Sequence, residues 1–69
     1  MDARAGVLTP RQIDVLTHVA DGRTTEEIAR LLELSPHTVK NYLERIYERL
    51  GARDRTQAVA IALREGVLT

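Results

Sequence analysis

The sequence predicts an all-α domain of four helices, and three observations support this fold class. Residues with the chemistry of helix N-caps precede four segments: Thr9, Thr24, Ser35 and Asp54. Behind each cap, apolar residues recur at spacings of three and four, the period of a helix with one buried face. No segment shows the strict apolar–polar alternation that is typical of a half-buried strand. The helices are predicted at residues 10–20, 25–32, 36–50 and 55–65.

The first helix has a complete set of start signals. Thr9 is the expected N-cap, Pro10 suits the first helical position, and Gln12 completes a capping box. The residues predicted to face inward are Ile13, Leu16, Val19 and Ala20. Gly22 can end the helix by adopting a left-handed backbone conformation.

The second and third predicted helices are joined by very few residues. Thr24 and Glu27 form a capping box for a short helix, and Ser35-Pro36 is the expected start of a longer one. Two helices joined by such a short turn, the second being longer, are typical of a helix-turn-helix. The turn lacks the usual glycine, so Glu33 is expected to adopt an unfavourable backbone angle.

The third and fourth helices are assigned inward faces in the same way. In the third, the buried stripe is Val39, Leu43, Ile46 and Leu50, and Gly51 ends the helix. Asp54 and Gln57 are expected to form a capping box for the fourth helix. Its predicted inward residues are Ala58, Val59, Ala62 and Leu63.

Composition excludes several classes of protein. The 69 residues have zero net charge and no cysteine, so disulfides and thiolate metal sites are excluded. His18 and His37 lack the spacing of metal ligands, and Glu26 and Glu27 are adjacent and cannot face each other as an acid–base pair. We therefore expect no metal, no cofactor and no enzymatic activity.

The same sequence offers no membrane segment. No stretch approaches the roughly 20 apolar residues of a membrane span, and the first residues do not begin a signal peptide. We expect a cytoplasmic protein without a membrane partner. Residues 1–7 are predicted to be a flexible end or linker, and residues 8–69 the domain.

The outward face of the third helix carries the functional prediction, with two interpretations open. Residues 36–55 have a net charge of +2, whereas residues 1–35 have −2. If this face is a recognition surface, polar side chains in the first half of the helix would contact bases in a major groove. Alternatively it is an ordinary solvated face, because Lys40–Glu44 and Asn41–Arg45 are common surface spacings.

Sequence strings across residues 8–68 resemble the LuxR-type (GerE-like) helix-turn-helix domain, as found at the C-terminus of NarL/FixJ-type response regulators. The strings that carry the resemblance, in order, are Leu8-Thr9-Pro10-Arg11, Val15-Leu16, Ala20-Asp21-Gly22, Glu27-Ile28-Ala29, Leu34 to Lys40, Leu50-Gly51 and Arg55 to Val59. The resemblance implies a four-helix domain whose third helix enters the major groove of double-stranded DNA. It also implies a role in transcription regulation, with RNA polymerase as a further candidate partner.

The resemblance assigns contacts residue by residue. Lys40, Asn41 and Glu44 match positions that usually contact bases, and His37 lies beside them on the predicted outward face. Thr25 and Thr38 match positions that usually contact phosphate, and Arg45, Arg49 and Arg53 are expected to add phosphate contacts. An alternative for Arg49 is that its stem lies over the core.

Three positions depart from the usual pattern of the family. Glutamate is usual where this chain has Gln12, lysine where it has Glu26, and histidine where it has Tyr42. These residues and the neutral total charge predict weak DNA binding by the isolated domain.

The fourth helix is expected to form a two-fold dimer, as it commonly does in the family. Its predicted outward residues are Gln57, Ala60, Ile61 and Arg64. Ile61 between alanines would suit a self-complementary patch, although a single exposed isoleucine is also normal on any surface. The predicted function is sequence-specific binding of double-stranded DNA by a homodimeric bacterial transcription regulator. The alternative is a helical protein-interaction module of the same fold that does not bind DNA.

Overall fold

A computed structural model describes residues 8–68, and this part of the chain forms four α-helices. They are α1 (Pro10–Ala20), α2 (Thr25–Leu32), α3 (Pro36–Leu50) and α4 (Arg55–Arg64). The predicted all-α class is confirmed, and the bounds of the first three helices agree with the prediction. Helix α4 ends one residue earlier than predicted. The linker predicted for residues 1–7 lies outside the described residues, as does residue 69.

Helices α1 and α2 begin with the capping boxes that the sequence predicts. In α1, Thr9 Oγ1 accepts from Gln12 N at 3.1 Å, and Gln12 Oε1 accepts from Thr9 N at 2.8 Å. In α2, Thr24 Oγ1 accepts from Glu27 N at 3.1 Å, and Glu27 Oε1 accepts from Thr24 N at 2.8 Å. The two hydrogen bonds with Thr24 lower the pKa of the Glu27 carboxyl below its ordinary value. Each box therefore satisfies two backbone N–H groups that a helix start leaves without partners.

Helices α3 and α4 begin differently. Ser35 Oγ caps α3 by accepting from Thr38 N at 3.1 Å. Asp54 Oδ1 caps α4 by accepting from Gln57 N at 2.9 Å. The reciprocal bond predicted for the capping box of α4 is displaced, because Gln57 Oε1 accepts from Arg53 N at 2.7 Å rather than from Asp54 N. Gln57 thus fixes the chain one residue before the cap.

The turn between α2 and α3 contains the strained residue that the sequence predicts. Glu33 has φ 57° and ψ 43°, in the left-handed region that side chains rarely adopt. The backbone hydrogen bond from Leu34 N to Ala29 O, 2.8 Å long, closes this turn. Ser35 can therefore cap α3 three residues after α2 ends at Leu32, which holds the two helices in the helix-turn-helix arrangement.

Helix α3 is the centre of the core. It packs against each of the other three helices described. Its predicted stripe is confirmed, because Val39, Leu43, Ile46 and Leu50 are all buried. The largest side chains that are fully buried are Leu16, Ile28, Ile46, Val15 and Val39. The opposite side of α3 is consequently the side that the fold leaves to solvent.

The inward face of α4 is only partly as predicted. Ala58 and Ala62 are fully buried, but Leu63 is 52% exposed, so the prediction that Leu63 faces inward is wrong. Ile61, predicted to face outward, is half-buried and packs against the core. After the helix, Leu68 N donates to Ala62 O at 3.1 Å, and the Leu68 side chain is buried. Leu68 therefore supplies the apolar side chain at this end of the core.

Helix α1 also departs from the predicted inward face at one position. Leu16 and Val19 are buried and Ile13 is half-buried, as the periodicity predicts, but Ala20 at the last position of α1 is exposed. The chain turns away at Asp21, and the backbone N–H of Gly22 bonds to Val19 O at 3.0 Å. Among residues 8–68, no helix is both long and apolar enough to cross a membrane.

Candidate nucleic-acid interface

The candidate interface is the solvent side of the first half of α3. His37, Lys40, Asn41 and Glu44 are all exposed there, while Val39 and Leu43 between them are buried. The helical repeat separates the two sets of side chains onto opposite faces. The sequence therefore predicted correctly which residues of this helix would be accessible.

These exposed side chains have no partners in the described part of the chain. Within residues 8–68, Lys40 makes no ion pair with Glu44 at 4.0 Å or less, and Asn41 makes no hydrogen bond with Arg45. The surface pairs that would make this an ordinary solvated face are therefore not formed. Donors and acceptors on Lys40, Asn41 and Glu44 remain available to a ligand outside the domain.

The threonines predicted to contact phosphate lie at the starts of two helices. Thr25 is the first residue of α2 and Thr38 is in the first turn of α3, and both are half-buried. The Thr38 Oγ1 atom lies 2.9 Å from Ser35 Oγ, so one of these hydroxyls donates to the other. Backbone N–H groups at helix starts favour an anion nearby, which is compatible with a phosphate contact at either position.

The arginines of the basic segment fall into two groups. Arg45, Arg49 and Arg53 are exposed, and Arg45 and Arg53 make no ion pair with other residues of the described range. Arg55 is different, because it is half-buried and its Nη1 donates to Arg23 O at 3.2 Å. That bond joins α4 to the loop after α1. One positive charge of the basic segment therefore has a structural role.

Arg55 also interacts with Tyr47 on α3. Burial raises the pKa of the Tyr47 hydroxyl, and the nearby Arg55 guanidinium opposes this effect by favouring the charged form. The sequence analysis did not identify Arg55 as a joining residue. Its position at the first residue of α4, directly after the Asp54 cap, gave no indication of a partner thirty-two residues earlier.

His18 on α1 is partly buried. Its side chain is 22% exposed, and Nε2 lies 4.0 Å from Asp14 Oδ1. The Nδ1 atom is buried and has no hydrogen-bond partner in the described residues. In the same part of the chain, no group of three or more His, Cys, Asp or Glu residues could hold a metal ion.

The residues predicted for a dimer interface on α4 differ in exposure. Ala60 and Arg64 are exposed, whereas Gln57 and Ile61 are half-buried. Leu63, which was predicted to face inward, is instead the exposed apolar residue between Ala60 and Arg64. The exposed surface of α4 therefore includes one large apolar side chain, that of Leu63.

Two helices joined by a short turn, the second with one face in the core and a polar face in solvent, define the class of helix-turn-helix domains. The chain matches the model of the family described as bacterial regulatory proteins, luxR family (GerE), over residues 6–62. Since this match covers most of the chain, the protein belongs to the LuxR family. The family and the relatives below are described as regulators, so this domain is a regulator domain rather than an enzyme domain.

Relatives and a solved structure agree with this assignment. The chain is 44% identical over 64 residues to the probable transcriptional regulatory protein NarL of Mycobacterium tuberculosis, covering 93% of this chain and 30% of that protein. It is 42% identical over 64 residues to the quorum sensing-dependent transcriptional regulator VjbR of Brucella ovis, covering 93% and 25%. A solved structure of the transcription factor GerE superposes with a TM-score of 0.86 at 30% identity, covering 91% of this chain and 94% of that one. The chain thus spans less than a third of the length of these two curated relatives.

Proposed function

We propose that this domain binds double-stranded DNA in a sequence-specific manner and regulates transcription in a bacterial cytoplasm, with α3 in the major groove. The observation that carries the proposal is the exposed first half of α3, whose polar side chains have no partner within residues 8–68. A major groove about 12 Å wide admits a helix with such a face. Membership in a family of bacterial regulatory proteins supports the same conclusion.

The side chains on this face match the hydrogen-bonding edges of bases. Lys40 would donate to O6 and N7 of guanine, Asn41 would pair with N6 and N7 of adenine, and Glu44 would accept from N4 of cytosine. His37 at the start of α3 is the fourth proposed base contact. Since each good contact discriminates against a wrong base by roughly 1–3 kcal/mol, three or four contacts are enough for a specific half-site.

Phosphate contacts would fix the orientation of α3 in the groove. Thr25 and Thr38 are proposed to hold phosphates near the starts of α2 and α3, and Arg45, Arg49 and Arg53 to add charged contacts. The exposed carboxylates of Glu26 and Glu48 would repel a nearby phosphate group. Because the net charge of the chain is zero, we expect a modest affinity from one domain alone.

A dimer would raise this affinity, and we propose that α4 forms it. The exposed surface of α4 includes Ala60, Leu63 and Arg64, which suits a two-fold contact in which the same patch occurs on both partners. Gln57 and Ile61, the other two predicted interface residues, would lie at its edge. Such a dimer would place two copies of α3 in successive major grooves about 34–36 Å apart and would read an inverted repeat.

The test is a selection from random duplex DNA followed by affinity measurements on the selected site. Lys40→Ala and Asn41→Ala should each weaken specific binding about tenfold while melting temperature and helix content stay unchanged. Arg30→Ala, which removes an exposed positive charge from the last turn of α2, is the matched control and should bind as the parent does. For the parent, log affinity should fall with log salt by about 0.9 for each neutralised phosphate.

Two outcomes would contradict the proposal. If no sequence is enriched and affinity does not depend on salt, the domain does not bind DNA and the interaction-module alternative is favoured. If Lys40→Ala and Asn41→Ala unfold the protein, the side of α3 that we assign to DNA is structural.

A further inference from the structure

The loop between α1 and α2, residues 21–24, is held from two sides. On the α1 side, the backbone N–H of Arg23 donates to His18 O at 3.2 Å, and the Arg23 guanidinium pairs with Asp21 Oδ2 at 2.9 Å. On the α4 side, Arg55 Nη1 donates to Arg23 O at 3.2 Å. The bond from Arg55 therefore attaches this loop to a helix that is distant in the sequence.

Arg55 contacts other elements from the first position of α4. Its guanidinium lies near the Tyr47 hydroxyl of α3, and the carbonyl oxygen that it binds comes directly before Thr24, the cap of α2. Arg55 is half-buried, and within residues 8–68 no carboxylate forms an ion pair with it. A guanidinium is planar and has five N–H donors, so one side chain can hold partners on two elements at once. Arg55 therefore fixes the start of α2 relative to α3 and α4.

The position of the start of α2 matters for the DNA contact proposed there. Thr25 is the first residue of α2 and follows the Thr24 cap directly. The first N–H groups of a helix have no partners within that helix and favour an anion nearby. A hydrogen bond to a phosphate oxygen also requires the donor and the acceptor to lie within about 3.2 Å of each other. A small displacement of the start of α2 would therefore weaken the Thr25 contact while α3 stays in the groove.

We infer that Arg55 is a positioning residue for DNA binding, which holds the start of α2 so that Thr25 reaches its phosphate while α3 lies in the major groove. In this arrangement Arg55 acts through Thr25 and makes no phosphate contact of its own. The inference rests on the proposed function, because Thr25 has a phosphate to contact only if the domain binds DNA.

A double-mutant cycle between Arg55→Gln and Thr25→Ala tests this role, with affinity measured for the selected duplex. Thr25→Ala should lower the affinity about tenfold and Arg55→Gln about fivefold. If Arg55 acts through Thr25, the double variant should bind more weakly than Thr25→Ala alone by less than about twofold. Losses that multiply to about fiftyfold would show two independent contributions and would overturn the inference. An unchanged affinity of Thr25→Ala would overturn it as well.

The dependence of affinity on salt separates positioning from a direct phosphate contact. A guanidinium that contacts DNA neutralises a phosphate, so its removal should reduce the log–log salt slope by about 0.9. Thr25 is uncharged, so a variant that only misplaces Thr25 should keep the salt slope of the parent. We expect Arg55→Gln to keep it. A slope reduced by about 0.9 would show that Arg55 binds a phosphate itself and would contradict the positioning role.

The matched control for the lost positive charge is Arg11→Gln. Arg11 is an exposed residue of α1, and its Nη1 lies 3.5 Å from Asp14 Oδ2 on the same helix. The same exchange at this position should lower DNA affinity by less than about twofold, because exposed charges away from the interface are largely screened by salt. Equal losses from Arg11→Gln and Arg55→Gln would mean that net charge alone is responsible and would overturn the inference.

Circular dichroism at the temperature of the binding measurement shows whether each variant is folded. If Arg55→Gln is not folded, Arg55→Lys takes its place in the cycle. Lysine keeps the positive charge, but its ammonium is a compact point charge without the planar fork that holds two partners. Arg55→Lys should lower affinity about threefold, and this loss should also disappear in the Thr25→Ala background. A loss that persists in that background would overturn the inference.

The two levels of proposal can fail separately. If the parent does not bind DNA at all, the proposed function fails. If the parent binds DNA and depends on Lys40 and Asn41, but Arg55→Gln binds as tightly as the Arg11→Gln control, only the positioning role of Arg55 is wrong.

Discussion

Helices α3 and α4 differ in how well their sequences define a buried face. In α3, the buried residues Val39, Leu43, Ile46 and Leu50 are separated by polar and charged ones, and all four are buried as predicted. In α4, residues 58–63 are six apolar residues in a row, Ala-Val-Ala-Ile-Ala-Leu. The sequence placed Ala58 and Ala62 correctly there but misplaced Leu63 and Ile61.

The difference shows that polar residues, not apolar ones, determine how accurately a helix face can be predicted. A polar side chain indicates which side of a helix faces away from the core, because burying it without hydrogen-bond partners is costly. A run of apolar residues does not indicate which side of the helix is buried, so the packing of neighbouring helices and of the following chain determines it. For this reason the exposed surface of α3 could be predicted in detail, whereas the exposed surface of α4 required coordinates.

The largest expected effect tests the buried side of α3. Ile46→Ala removes a fully buried side chain from the centre of the core and should lower the free energy of unfolding by about 3 kcal/mol. Lys40→Ala on the opposite side of the same helix should change it by less than about 0.5 kcal/mol. Urea unfolding of both variants measures the difference. Similar losses in the two would mean that the faces of α3 are not separated as described.

The next effect tests the corrected face of α4. Ile61→Ala should lower the free energy of unfolding by about 1–2 kcal/mol because its half-buried side chain packs on the core. Leu63→Ala should cost less than about 0.5 kcal/mol in the monomer, since Leu63 is 52% exposed. At concentrations where α4 dimerises, Leu63→Ala should instead weaken self-association, measured by sedimentation. If Leu63→Ala destabilised the monomer more than Ile61→Ala, the inward face of α4 predicted from the sequence would be correct after all.

Helix bounds, most caps and the exposed face of α3 were predictable because they depend on local chemistry. Thr9, Thr24 and Ser35 each satisfy a backbone donor within three residues, so their effect is visible in sequence. Contacts between distant segments were not predictable. The Arg55–Arg23 hydrogen bond joins residues 32 positions apart, and the partial burial of His18 depends on how α1 meets the rest of the domain.

The turns that follow α2 and α3 provide a smaller test of the same difference between local and distant effects. Gly51 after α3 has φ 71°, and a Cβ there would meet no atom within 4 Å, so Gly51→Ala should cost only backbone strain, about 1 kcal/mol. Glu33 after α2 already bears such strain at φ 57°. Glu33→Gly should therefore stabilise the domain by about 0.5–1 kcal/mol in thermal unfolding. Glu33→Gln separates loss of strain from loss of charge, because it removes the charge and keeps a side chain that is unfavourable in this conformation. A destabilised Glu33→Gly would show that the side chain makes an unrecognised contribution.

The smallest expected effect is a loss of stability at acid pH, and it should distinguish the starts of α2 and α3 from those of the other helices. The hydrogen bonds with Thr24 lower the pKa of Glu27 from its ordinary value of 4.5, so the ionised form stabilises the folded state. This contribution is complete above the unfolded value of 4.5 and is lost as pH falls through the lower folded pKa.

The equivalent residue of α1 is Gln12, which does not titrate. Protection of amide hydrogens from exchange in the first turn of α2 should therefore decrease as the pH falls below 4.5, and it should decrease more than in α1. Glu27→Gln should remove the difference between α2 and α1 while keeping the cap. Because α2 packs against α3, the parent should also lose protection at the start of α3 before it does so in α4. Uniform loss of protection in all helices would mean that acid acts on the whole domain rather than through Glu27.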